Sequence, residues 1–73
     1  FSVAQCNLGQ SYEHGDGVKK DMKQAVYWYT KAAEQGNTRG QRFLGWCYEH
    51  GEGVERDFAK AMHLYVLASD QLD

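Results

Sequence analysis

The sequence predicts an all-α chain, an α/α solenoid of two stacked helix–turn–helix repeats, and three observations carry that reading. First, YEHGDGV (Tyr12 to Val18) and YEHGEGV (Tyr48 to Val54) differ only by Asp16 against Glu52, and sliding the chain by 36 residues leaves 37 aligned pairs of which 14 are identical. A period in this range marks stacked supersecondary units, none of which buries its apolar face alone. Second, apolar residues recur at helical spacing inside each unit. Third, glycine and aspartate stand at the same phase of both units, where one helix must stop and the next must start. The first unit is placed at residues 1–36 and the second at 37–73.

Each element can be argued in turn. The first helix of each unit carries Ala4, Leu8 and Tyr12, or Leu44 and Tyr48, at four-residue steps. Its start is placed at Ser2 and Thr38, because Ser2-Val3-Ala4-Gln5 and Thr38-Arg39-Gly40-Gln41 both fit a capping box. Its end falls near His14 and His50, where Gly15 and Gly51 supply the left-handed backbone that closes a helix. The turns GDGVKKD and GEGVERD follow, with Val18 and Val54 as their lone apolar residues, expected to plug the space between helix ends. The second helix starts at Asp21 and Asp57, whose carboxylates suit an N-cap and the helix dipole. Its stripe is Met22, Ala25, Tyr29 and Ala32, and Gly36-Asn37 ends it. Gly9, Gly45, Ala25, Ala61, Ala32 and Ala68 let helices approach closely beside the larger Leu8, Tyr12 and Tyr29.

Composition narrows the function classes. The 73 residues hold 8 Lys plus Arg against 10 Asp plus Glu, so a net charge of −2 gives no basic footprint for nucleic acid. No apolar run approaches the roughly 20 residues of a membrane-spanning helix, so no direct membrane insertion is expected. The chain opens at Phe1 without a signal-peptide pattern and reads as a fragment or processed form. Cys6 and Cys47 show no CxxC spacing and are read as free thiols. Glu13, His14, Glu49 and His50 are ligand types, but neighbouring helices roughly 8–10 Å apart do not bring them to one ion. The glycine turns lack both the phosphate-loop pattern and the calcium-loop pattern. No cofactor, metal or catalytic residue is expected, and the chain is read as not an enzyme.

The stretch LGQSYEHGDGVKKDMKQAVYWYTKAAEQG, Leu8 to Gly36, closely resembles the Sel1-like repeat, an α/α relative of the tetratricopeptide repeat. The LGxxY, GxGV, aspartate, alanine and WYxKAAEQG elements occur in order, and the resemblance covers the chain as two units. The second unit departs at its end: Trp28, Lys31 and Gly36 become Leu64, Leu67 and Leu72. The resemblance implies an adaptor, as in relatives that assemble complexes in membrane-associated quality control and signalling. A cysteine-rich secreted branch linked to β-lactam binding carries paired cysteines that this chain lacks.

Under that resemblance the first helix of each unit lines a concave face, where residues not committed to packing meet a protein or peptide partner. They are Cys6, Gln10, Glu13 and His14, then Arg39, Arg42, Trp46, Glu49 and His50. Trp46 stands where the first unit has Gln10, so it is either a binding anchor or packing for a next unit. The function read from the sequence is a non-catalytic interaction scaffold. Its alternatives are a small-ligand-binding or hydrolase module on the same scaffold, and a structural spacer in a longer repeat protein. The last helix, through Leu64, Val66, Leu67 and Leu72, is expected to support self-association, most simply as a two-fold dimer.

Overall fold

The structure, a computed structural model, describes residues 2–70. Four helices of 13 residues each follow one another: α1 Ser2–His14, α2 Met22–Glu34, α3 Thr38–His50 and α4 Phe58–Asp70. Among the described residues there is no strand. α1 packs on α2 and α3 on α4, and the two hairpins join through α2 against α3, giving a slab of 34 × 27 × 14 Å.

The turn chemistry explains why each hairpin closes identically. Gly15 and Gly51 adopt φ 67° and 68°, and the amides that follow them, on Asp16 and Glu52, donate back to the carbonyls of Ser11 and Cys47 at 2.8 and 3.0 Å. Those bonds satisfy carbonyls that a helix end otherwise leaves open. The turn is then tied down when the amides of Asp21 and Asp57 donate to Tyr12 and Tyr48 carbonyls, each at 2.9 Å. Asp21 caps α2 by accepting from the amides of Lys23 and Gln24 at 3.0 and 3.3 Å, and Asp57 accepts from the amide of Lys60 at 3.1 Å. Val54 is half-buried against the core, and Val18 is half-buried in its own turn.

Two local expectations are corrected. Thr38 is not the cap of α3; Asn37 is, its Oδ1 accepting from the Gly40 amide at 2.8 Å. The connection is so short that one residue serves both helices, because the Asn37 amide also donates to Ala32 at 3.1 Å and closes α2 behind the left-handed Gly36. Ser2 is likewise the first helical residue, and its hydroxyl accepts from Asn37 Nδ2 at 3.3 Å. The buried face of α1 is the second correction. Cys6 and Gly9 are its buried residues, whereas Ala4 is exposed and Leu8 and Tyr12 are half-buried.

The core runs through the middle of the slab: Cys6, Ala25, Val26, Tyr29, Ala32, Leu44 and Cys47, with Phe43, Tyr48 and Leu64 packed against it. Tyr29 is fully buried because Gly9 makes room for it; a Cβ at Gly9 would lie 2.7 Å from the tyrosine ring. Gly45 stands in the same relation to Tyr65, at 3.0 Å. Conserving glycine on one helix and tyrosine on the other, in both units, is therefore one packing device written twice.

Candidate functional site

The side chains proposed for binding lie on α1 and α3, which touch each other alongside the α2–α3 junction. The structure divides them into three groups. Cys6 is buried at 1% exposure and belongs to the core, so its expected place on the binding face is overturned. It is the small residue that lets the centre of α1 sit down on the slab, which its apolar character favours. Burial pushes its thiol up from the ordinary value, against the opposing pull of Arg39 and Arg42. Burial likewise pushes the Cys47 thiol up to about 12. Both thiols are unpaired, and both are held in the protonated, weakly nucleophilic form.

Glu13 and Glu49 form the second group. The Tyr29 hydroxyl donates to Glu13 Oε1 at 2.6 Å, and the Tyr65 hydroxyl donates to Glu49 Oε1 at 2.7 Å. These half-buried carboxylates each hold the polar end of the tyrosine that fills the glycine notch, and each also lies 3.9 Å from the Nε2 of the next residue, His14 or His50. Burial first, then the hydrogen bond to Glu49, push the Tyr65 phenol up to about 12; burial and Glu13 push Tyr29 up as well. Sequence reasoning missed this role. The signal was present, since glutamate and tyrosine recur sixteen residues apart in both units.

Gln10, His14, Arg39, Arg42, Trp46 and His50 remain outward. Arg39 Nη2 donates to Gln10 Oε1 at 3.4 Å across the seam, and its guanidinium lies 5.9 Å from the Phe43 ring centroid. Phe43, unassigned in the sequence reading, stacks on Tyr29 at 5.1 Å and 25°, and so supports this seam from below. His14 Nδ1 lies 3.0 Å from the Gln10 carbonyl. Trp46 is 39% exposed, and its indole leans on the His50 ring, centroids 4.6 Å apart at 45°. Arg42, four residues earlier on the same helix, is exposed. The resulting face is an indole–imidazole pair with guanidiniums beside it, and with Glu13 and Glu49 shared between the tyrosine hydroxyls and the histidine rings.

Among the described residues, no group of three or more His, Cys, Asp or Glu side chains could hold a metal ion, and no helix is long and apolar enough to cross a membrane. The residues expected to drive self-association separate as well. Leu64 is half-buried against the core, Val66 and Leu67 are exposed, and Leu72 lies outside the described residues.

Comparison with known proteins agrees with this geometry. Residues 2–37 and 38–71 each match the Sel1 repeat. A crystal structure of a protective antigen of uropathogenic Escherichia coli displaying an SLR fold superposes with TM-score 0.97 and 42% identity, over 100% of this chain and 16% of that one. A Sel1 repeat protein from Oxalobacter formigenes superposes with TM-score 0.94 and 40% identity, over 96% of this chain and 29% of that one. Chitin synthase regulatory factor 3 of Schizosaccharomyces pombe is 47% identical over 36 residues, which is 48% of this chain and 4% of that protein. The chain thus spans less than a third of each of these proteins.

Proposed function

Because the chain belongs to the Sel1 repeat family, whose repeats generally mediate protein–protein interactions, we propose that it is a non-catalytic scaffold holding a protein or peptide partner on the face shared by α1 and α3. The observation that carries this reading is the exposed Trp46–His50 pair with Arg42 one turn away and Arg39 on the same helix. An aromatic that keeps a large exposed surface on a rigid helix is a suitable anchor. Guanidiniums beside it match a carboxylate bidentately. The partner is accordingly an extended or helical segment with an apolar side chain next to an acidic one. Two buried, protonated thiols support a role other than nucleophilic chemistry. A relative described as a regulatory factor of chitin synthase, rather than as a synthase, is in keeping with it.

Panning a displayed library of short peptides against the chain tests the proposal. Enriched peptides should combine an apolar and an acidic residue, and should lose binding to Trp46→Ala and to Arg42→Ala while both variants keep the helical circular dichroism of the parent. Peptides that bind both variants as well as the parent would place the binding face elsewhere. Loss of helical signal in Trp46→Ala would make the indole a packing residue instead.

A further inference from the structure

Each unit ends its first helix on a glutamate followed by a histidine, and the hydrogen bonds of the first unit fix which ring nitrogen is free to take a proton. His14 Nδ1 lies 3.0 Å from the Gln10 carbonyl oxygen. A carbonyl only accepts, so Nδ1 carries a hydrogen and donates it. The neutral ring is then left with its lone pair on Nε2, which faces Glu13 Oε2 at 3.9 Å. The other oxygen of that carboxylate accepts from the Tyr29 hydroxyl at 2.6 Å. A proton on Nε2 therefore turns a lone pair into a donor aimed at a carboxylate already held in place. His50 repeats the arrangement, with Nε2 3.9 Å from Glu49 Oε1, the oxygen that accepts from the Tyr65 hydroxyl. A neighbouring unit does not cover either ring: His14 has a unit after it and His50 a unit before it, and their side chains keep 65% and 49% exposure.

The charges around these rings balance. The α1–α3 face carries Arg39 and Arg42 against Glu13 and Glu49, and the adjoining turns add Asp16 with Lys20 and Glu52 with Arg56. Beneath the face, the four helices contribute Cys6, Tyr29, Cys47 and Tyr65, whose thiols and phenols stay uncharged because burial pushes each of them up. Four positive groups thus meet four negative ones, and the two imidazoles decide the sign. Histidine is the side chain that changes charge between about pH 5 and 8, whereas the carboxylate of a partner stays ionised down to about pH 4. Resting on the scaffold reading above, we infer that His14 and His50 make this face a pH-controlled acceptor of acidic peptides, a balanced surface that becomes positive and tightens on a partner carboxylate as pH falls. The effect per proton is up to about fivefold in affinity, the Coulomb energy of two unit charges roughly 4 Å apart in water expressed as a ratio. Salt should reduce it, because the rings are exposed.

Titrating the chain with an acidic peptide enriched by panning, at about pH 8 and at about pH 5.5, tests the inference. The parent should bind about fivefold tighter at the lower pH. The same peptide with its acidic residues replaced by their amides should show no such ratio. In His14→Gln with His50→Gln the ratio should flatten. In His14→Lys with His50→Lys, charged at both pH values, binding at the higher pH should match that of the parent at the lower. Both rings are exposed, so helical circular dichroism should be kept, and should one double variant lose it the other still decides. A parent that binds equally at both pH values, or a ratio that survives in His14→Gln with His50→Gln, would overturn the pH control and leave the binding face standing. A parent that takes up no acidic peptide at either pH would remove the binding face, and the control with it.

Discussion

Gly17 and Gly53 offer a controlled comparison, because they share a sequence context and a backbone conformation and differ in what surrounds them. Replacing either by alanine forces a Cβ into the left-handed region, at about 1–2 kcal/mol. At Gly17 that is the whole effect, for nothing stands within 4 Å of the new atom. At Gly53 the same Cβ would lie 2.5 Å from the Met22 carbonyl oxygen, 2.8 Å from its carbon and 3.0 Å from Val26 Cγ2. Two of those three atoms are backbone, so the second turn must back away from α2, at a further ~1–3 kcal/mol typical of overpacking. Gly53→Ala should therefore be less stable than Gly17→Ala by ~1–3 kcal/mol, a large part of what a domain of this size possesses. Urea titration followed by circular dichroism reads the difference directly. Equal midpoints for the two variants would mean that the second turn does not rest on α2.

Removing the helix caps should cost about 1 kcal/mol each, so Asp57→Ala and Asn37→Ala should both lower the urea midpoint; a neutral Asn37→Ala would return the start of α3 to Thr38. High pH should weaken the fold through the phenols bonded to Glu13 and Glu49. Tyr65 titrates near 10.0 in the unfolded chain and is pushed up to about 12 when folded, so its contribution is complete below about pH 10 and is lost as pH rises through 12. Tyr65→Phe should flatten the fall in stability over that window, measured by urea titration at successive pH values, and an unchanged fall would assign it to other groups.

Much of the fold is legible because the repeat supplies its own control. Residues identical in both units, such as Gly15 with Gly51 and Asp21 with Asp57, are set by turn and cap geometry that is local in sequence. Those assignments needed no partner beyond a few neighbouring amides. Asn37 was misassigned because one residue closes α2 and opens α3, and a pattern search that treats each helix end separately gives that residue a single task. Glu13 and Glu49 looked available on the helix surface because their partners, Tyr29 and Tyr65, lie sixteen residues away on the next helix. Cys6 looked available because its counterpart is Arg42, an exposed residue; the first unit turns that phase of α1 toward the core, and the second does not.

Differences between the units carry as much information as identities, once the structure says which phase meets which. Trp46 opposite Gln10 is visible in the sequence as one substitution, and it left an anchor and a packing residue equally open. The bond from Arg39 to Gln10 resolves the geometry of that position: its side chain reaches toward the first helix of the following unit. Trp46 thus stands at the end of the α1–α3 face, at the position from which Gln10 meets the next helix of that face. Trp46→Gln, which writes the residue of the first unit into the second, should therefore keep the urea midpoint of the parent and lower the affinity of a labelled library-derived peptide by at least about tenfold, the loss of one well-buried anchor. A lowered midpoint with peptide affinity unchanged would make the indole a packing residue and remove it from the binding face.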